Sequence, residues 1–381
     1  MDDIAIVGVG QSSFSRKCGI SIKELCFEAF QEALEGIDVT NTDIDTSIIC
    51  SSLYDPQRSA ENPIAEYLGL NPSPTFLIEN ACCASSTGLR VAWSFIKSGL
   101  YKIVAVIGVE KMSGQTSREA AEMMGRAYDV TTESAFGLTM PGGYALYARA
   151  HMDKYGTTEE QLANVRVKNS YYAVKNPKAA YRKLLSLEEI SASVVVAKPL
   201  KLLDCCANAD GASCMIVTSG DVARRVTKIP VWVAGLGAAS NTGIGVRESH
   251  TSLACAKRAA EQAYAMAGIR PEDVDVAEVH DCFTIAEILA YEDLGFAKPG
   301  EGPSLIDEKQ TYIEGRIPVN VDGGLLCKGH PIGATGGSQL RTIVKQLRGE
   351  SGETQVKDAE IGLAHNVGGI GHYGNVTILR R

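Results

Sequence analysis

The 381-residue sequence predicts an α/β fold of two similar halves with an inserted segment, and three observations carry that expectation. Short β-branched runs bounded by glycine or polar residues alternate with amphipathic helical patterns, as in layered α/β proteins with a mostly parallel sheet. The alternation occurs twice, over residues 1–225 and again over 226–381. Between two strands of the first half, residues from about 111 to 198 carry many charges and tyrosines and few strand-like runs, and this segment reads as an insertion able to carry substrate contacts.

In order, strands are predicted near Ile4–Val9, Ser47–Cys50, Phe76–Ile78, Ile103–Ile107 and Ala212–Thr218, then near Val231–Ala234, Val274–Val279, Ile361–Leu363 and Asn375–Leu379. Apolar residues at three- and four-residue spacing predict helices at Ile22–Leu34, Ser85–Lys97, Leu253–Met266, Thr284–Leu294 and Ser338–Leu347. A further helix is predicted over Glu159–Val174 within the insertion.

Composition narrows the function. A hydrophobic share of 45% and a charged share of 22% belong to an ordinary globular chain, not a disordered or fibrous one. The net charge of −8 has no long basic run to offset it, which argues against nucleic acid as a partner. The 11 cysteines form an odd set without a CxxC pair, so neither a disulfide framework nor a metal site is expected, and a reducing compartment fits. The acidic opening Met1-Asp2-Asp3 and the lack of any apolar run near the ~20 residues of a membrane span point to a cytoplasmic protein without a membrane segment.

Four clusters carry chemistry. Glu79-Asn80-Ala81-Cys82-Cys83-Ala84-Ser85-Ser86 ends a strand and opens a helix, where free amides and the helix dipole favour a thiolate. A buried small hydrophobe is the competing reading of either cysteine. His280-Asp281-Cys282-Phe283 lies where a strand gives way to a helix, and Asp281 reads as a cap for that helix. Gly323 to Gly337 contains Lys328-Gly329-His330-Pro331, with glycines that let backbone approach a ligand but without nucleotide-binding spacing. His365-Asn366-Val367-Gly368-Gly369-Ile370-Gly371-His372 offers strand-end amides able to hold an oxyanion. Cysteine with histidine is the pattern of nucleophilic acyl transfer.

Together with Asn208-Ala209-Asp210-Gly211-Ala212, these clusters resemble the thiolase superfamily, in the branch of archaeal and sterol-carrier-protein-type thiolases marked by His-Asp-Cys-Phe. The resemblance spans nearly the whole chain. It implies a thiolase-like five-layered αβαβα sandwich with an inserted loop domain that receives coenzyme A. It also implies a CoA-dependent thiolase that cleaves or forms 3-oxoacyl-CoA by ping-pong acyl transfer. The implied nucleophile is Cys83, followed by Ala84-Ser85, with His330 taking its proton. Cys282 is the implied second acid/base, because Asn366-Val367-Gly368 stands where better-known thiolases carry a Cys-x-Gly motif. His280 and His330 with a water would hold one oxyanion, the backbone amides of Cys83 and Gly368 the other, and Asn366 would shape its turn.

No permanent cofactor is implied, with CoA as co-substrate and Met140 and Gly142 near its path; Lys168 and Arg182 are candidate contacts for its phosphates. A homodimer and a small OB-fold, zinc-containing partner are further implications. The acyl group follows as acetoacetyl, with larger aryl or branched 3-oxoacyl-CoAs such as 2-benzoylsuccinyl-CoA as the alternative. A ketoacyl-synthase-like condensing enzyme, against which Cys282 speaks, and an inactive thiolase-like scaffold subunit are the competing readings.

Overall fold

The computed structural model describes residues 3–52 and 59–381; Met1-Asp2 of the acidic opening lies outside them. The strands are β1 (Ile4–Gln11), β2 (Thr46–Cys50), β3 (Thr75–Ile78), β4 (Ile103–Glu110), β5 (Val195–Ala197), β6 (Leu200–Lys201), β7 (Gly211–Ser219), β8 (Val231–Ser240), β9 (Val276–Glu278), β10 (Ile361–Gly368) and β11 (Tyr373–Arg380). β5 and β6 form a small hairpin, and the rest form one sheet in the order β3-β2-β4-β7-β1-β8-β11-β10-β9. The two halves of this sheet join at β1 and β8 through two residue pairs, Ala5 with Trp232 and Ile6 with Val231.

All nine expected strands form, but the sheet is not mostly parallel. Only β2–β3, β2–β4 and β9–β10 run parallel. Strand–helix alternation fixes which segments are extended and says nothing of direction once a long insertion or a tight turn returns the chain. β10 and β11, joined by residues 369–372, pair antiparallel for that reason.

The helices are α1 (Ile22–Leu34), α2 (Glu61–Tyr67), α3 (Ala84–Lys97), α4 (Ser117–Met124), α5 (Met140–Tyr155), α6 (Glu159–Lys175), α7 (Leu187–Ser191), α8 (Gly220–Val226), α9 (Ala254–Ala267), α10 (Thr284–Asp293), α11 (Gly302–Asp307) and α12 (Thr335–Arg348). Side chains of β1 alternate, with Ile4 and Ile6 entering one core and Ala5 and Val7 another. In the first core, Leu89 and Ile96 of α3 and Leu340 and Ile343 of α12 lie between strand residues of both halves, such as Val106 and Val276. The second packs α1 on the far face of the first half through Leu25, Ala29 and Phe30. A third packs α9 and α10 on the far face of the second half through Ala259, Ala263 and Tyr291. Helix, sheet, helix, sheet and helix therefore stack as five layers.

The likeness of the halves extends to backbone contacts. A Cβ on Gly10 of β1 would lie 1.9 Å from the Ala29 carbonyl oxygen of α1, and one on Gly237 of β8 would lie 1.8 Å from that of Ala259 in α9. Each half thus seats its outer helix directly on a glycine of a central strand.

The insertion folds mainly as α4 to α7, and α5 is a helix that periodicity does not reveal. Tyr144, Tyr147, Ala148 and His151 form one buried face at three- and four-residue spacing, but glycine, alanine, tyrosine and histidine make it weakly apolar while Leu146 on the other side is exposed, so the pattern carries little hydrophobic signal. Pro141 at its start reads as a breaker in sequence, yet Pro is well suited to a first helical turn, and Thr139 Oγ1 caps it by accepting from Gly142 N at 3.2 Å.

Two expectations are corrected by burial. Lys168 is fully buried, with its Nζ donating to Glu287 and to the Val319 carbonyl at 2.8 Å, so it is not a contact for CoA phosphates. Asp281 does not cap α10; its carboxylate accepts from the backbone of Leu325 and Leu326 and from Asn169 Nδ2 at 2.7, 3.2 and 2.7 Å. Asp281 instead ties the strand end after β9 to the glycine-rich loop. All 11 cysteines are free thiols. Among the described residues no helix is long and apolar enough to cross a membrane.

Candidate active site

Four turns converge on one cavity of about 110 Å³. The first leaves β3 and enters α3. Ala81 sits there at φ +46, a left-handed conformation that costs a non-glycine residue strain, held by its N–H donating to Glu79 Oε1 at 2.7 Å. Cys83 N then donates to the Asn80 carbonyl at 3.0 Å and α3 begins at Ala84. This kink turns the two adjacent thiols in different directions. Cys82 lines the cavity; Cys83 is fully buried, with its thiol 3.3 Å from the Asn366 carbonyl oxygen as donor.

The second turn follows β9 and places His280 and Cys282 on the cavity wall. The third is the loop before α12, a single π-type turn over Gly324–Lys328 that delivers His330. A Cβ on Gly324, at φ +56, would stand 2.2 Å from Asp281 Oδ2, so only glycine lets the loop close on that carboxylate. The Asn208 segment pairs beside this loop, with His330 N donating to the Ala207 carbonyl at 3.3 Å. The fourth turn, between β10 and β11, supplies Gly369.

Cys82 Sγ and one ring nitrogen each of His280 and His330 lie within 4.8 Å of one another. Hydrogen bonds assign both imidazoles. Thr335 Oγ1 gives its one proton to the Pro331 carbonyl at 2.9 Å, so at 2.7 Å it accepts from His330 Nδ1–H, leaving a lone pair on His330 Nε2. With Ser86 Oγ donating to Asn366 Oδ1 at 2.8 Å, the orientation the structure shows, Asn366 Nδ2 donates to His280 Nδ1 at 2.9 Å, and His280 Nε2 carries the hydrogen. That Nε2 is buried without a protein partner. The cavity therefore presents one imidazole as an acceptor and one as a donor.

Desolvation dominates the charges. Burial pushes the Cys82 thiol up to about 12, opposed by the Gly369 N–H and aided by Glu110. Burial lowers His330 to about 3. Burial, then His330 and His365, holds His280 well below the usual histidine range. Burial also raises Cys282 well above an ordinary thiol, followed by neighbouring Cys206, while a hydrogen bond from Tyr144 acts the other way. The resting site is thus neutral thiols beside neutral imidazoles, and the expected lowering of the thiol by the start of α3 is outweighed by burial.

Several site expectations are adjusted by one residue. Cys82 rather than Cys83 faces the histidines. The amides directed at its sulfur are those of Gly369 and Cys82 itself, not Gly368 and Cys83. The Cys83 amide is spent on Asn80. His372 lies 3.5 Å from Glu133, and His365 is buried without a partner. Met140 lines the cavity, whereas Gly142 lines an open groove of about 780 Å³ beside it with Phe136, Leu138 and Val246. Arg182 is exposed and donates to the Val174 carbonyl at 3.0 Å. Tyr144, Cys206 and Met124 line the cavity without having been signalled. Two of them lie in the insertion's helices, where no motif marks them; the Cys205-Cys206 pair was visible but gave no spacing to interpret.

Comparison with known proteins agrees with this architecture. Residues 4–221 match the family model described as thiolase, N-terminal domain, and residues 237–381 match thiolase C-terminal domain-like. The chain is 40% identical to acetyl-CoA acetyltransferase of Methanothermobacter thermautotrophicus, with 100% of each chain covered. It is 32% identical to sterol carrier protein 2 of Bos taurus, over 96% of this chain and 70% of that one. Among solved structures, the Ltp2-ChsH2(DUF35) aldolase superposes with a TM-score of 0.86 at 26% identity, covering 100% of this chain and 98% of that chain. The chain belongs to the thiolase family, in the branch shared with sterol carrier protein 2. It is a CoA-dependent thiolase, and hence an acyltransferase.

Proposed function

We propose that the chain exchanges an acetyl group between CoA thioesters through Cys82, cleaving or forming a short 3-oxoacyl-CoA. The observation that carries this reading is the convergence of Cys82 Sγ with His280 and His330 within 4.8 Å. His330 Nε2 accepts the Cys82 proton as sulfur attacks the substrate ketone carbon. The Gly369 and Cys82 amides then receive the tetrahedral oxyanion. When the carbon–carbon bond breaks, the acetyl-CoA enolate oxygen accepts a hydrogen bond from His280 Nε2–H. Cys282 gives its proton to the enolate carbon and recovers one from the CoA thiol, whose sulfur takes the acyl group as Cys82 leaves and regains its proton from His330.

A cavity of about 110 Å³ bounded by Met124, Met140, Tyr144 and Ile332 favours a small acyl group, as does the acetyl-CoA acetyltransferase relative. The larger aryl and branched substrates therefore fit less well. The groove lined by Thr139 and Gly142 is assigned to pantetheine because the next residues of the same helix start, Met140 and Pro141, line the cavity. A cytoplasmic homodimer is part of this reading. Its support is the short edge strand β3, which leaves Phe76 and Leu77 37% and 45% exposed at the rim of the sheet, as an edge awaiting a partner would. A separate OB-fold partner has support from the aldolase neighbour, Ltp2-ChsH2(DUF35), whose name includes a second, DUF35 component.

Intact-protein mass spectrometry after mixing with acetyl-CoA and a graded series of 3-oxoacyl-CoAs tests the proposal. An acetyl adduct present in wild type and Cys83→Ala but absent in Cys82→Ala is the expected result. An adduct that survives Cys82→Ala would refute the assignment.

A further inference from the structure

Two features of the acyl-transfer cavity also suit a metal ion. Its thiol and two imidazole nitrogens are a borderline-soft donor set, and His280 Nε2 is fully enclosed with no protein atom to bond. Each ring is also fixed through its other nitrogen, His330 by Thr335 and His280 by Asn366, as metal-binding histidines are held by a second layer of hydrogen bonds. The geometry points to Cys82, His280 and His330 as a three-ligand site for one zinc ion, which blocks acyl transfer reversibly while bound.

Tetrahedral zinc with one thiolate and two imidazoles places ligand atoms roughly 3.3–3.8 Å apart. The observed spread is at most 4.8 Å, so binding must draw the three atoms about an ångström closer. The proton balance is definite. Zn²⁺ replaces the Cys82 thiol proton, which passes to solvent, and leaves a fourth position for water or the CoA sulfur. The His280 hydrogen must move from Nε2 to Nδ1, and Asn366 must turn so that Oδ1 accepts it. Ser86 permits that turn, because its hydroxyl also lies 2.9 Å from the Cys83 carbonyl and can donate there while accepting from the Asn366 amide.

Inhibition rests on Cys82 being the nucleophile; binding of the metal does not. The experiment titrates zinc chloride into the metal-free full chain against a chromogenic chelator, counts metal after desalting, and follows proton release. One zinc per chain with about one proton released is expected. Cys82→Ser and His330→Ala should each weaken binding at least tenfold, and Cys83→Ala should not. Asn366→Asp should tighten binding while slowing acyl transfer, because a carboxylate accepts from Nδ1 and frees Nε2 for metal. Should Cys82→Ser misfold, wild type alkylated at Cys82 takes its place. Equal zinc affinity with and without a free Cys82 thiol, or no zinc held by wild type against the chelator, overturns the inference. An acyl adduct on Cys82 without zinc binding overturns the metal site alone, whereas zinc binding without an adduct overturns the thiolase assignment of Cys82 alone.

Discussion

Thr335 Oγ1 lies 2.7 Å from His330 Nδ1 and spends its own proton on the Pro331 carbonyl, so this hydroxyl decides which His330 nitrogen is the base. It is a positioning residue. Thr335→Val removes the acceptor and lets the ring change tautomer, with an expected fall in kcat of roughly tenfold and KM nearly unchanged, the size of one hydrogen bond. Thr335→Ser should retain most of the rate. Steady-state kinetics on acetoacetyl-CoA separates these outcomes, and a rise in KM alone would refute the role.

Cys82 and Cys83 differ by one position and by which way the Ala81 kink turns them. Cys83→Ala removes a thiol whose acceptors are the Asn366 and Tyr373 backbone carbonyls, outside the cavity, so activity should stay within about threefold at a stability cost of about 1 kcal/mol. Cys82→Ser should lose more than about 10³ in kcat, because a serine hydroxyl is a far weaker nucleophile beside a neutral imidazole. Parallel kinetics and urea denaturation of both variants check the pair.

The sequence made much of this legible, for physical reasons that differ by element. Most strands of the large sheet show as β-branched runs because both faces are buried, the edge strand β3 excepted, and α1 matches its periodicity residue for residue because Ser21 and Glu24 cap it reciprocally. His330 and Cys282 were identifiable because glycines or a strand end locate them. The choice between Cys82 and Cys83 was not, since it depends on one positive φ at Ala81, which alanine does not advertise. Lys168 shows the converse failure. An isolated lysine on a helix reads as solvated, and only the tertiary fold places Glu287 against it.

Breaking that buried pair should be costly. Lys168→Met leaves Glu287 facing Asn169, Tyr291 and Asn320 without its cation, and a loss of about 3–5 kcal/mol is expected. Adding Glu287→Gln to Lys168→Met should recover part of it. Denaturant midpoints of the single and double variants test this, and an undiminished midpoint in Lys168→Met would contradict the burial.

The neutral resting state has a pH signature. With Cys82 near 12 and His330 near 3, neither group changes its main protonation state between pH 6 and 9. The small thiolate fraction nevertheless rises about tenfold per pH unit, because pH stays below the thiol's value throughout. Alkylation of Cys82 by iodoacetamide should therefore climb with unit slope across this range. A thiolate–imidazolium pair would give a plateau instead.

Asn366 tests the donor side of the cavity. Its Nδ2 gives a hydrogen to His280 Nδ1, which keeps the hydrogen on Nε2, directed at the position assigned to the enolate oxygen. Asn366→Asp reverses that bond, since a carboxylate accepts from Nδ1 and strips Nε2 of its hydrogen. Loss of an oxyanion donor costs about 10²–10³ in rate, and a fall of that size in both kcat and kcat/KM is expected, with the Cys82 acetyl adduct still forming from acetyl-CoA. Asn366→Ala, which only releases the ring, should lie between Asp and wild type. If Asp and Ala proved equally active, the orientation of His280 would not depend on Asn366, and its place in the oxyanion site would have to be sought in backbone amides instead.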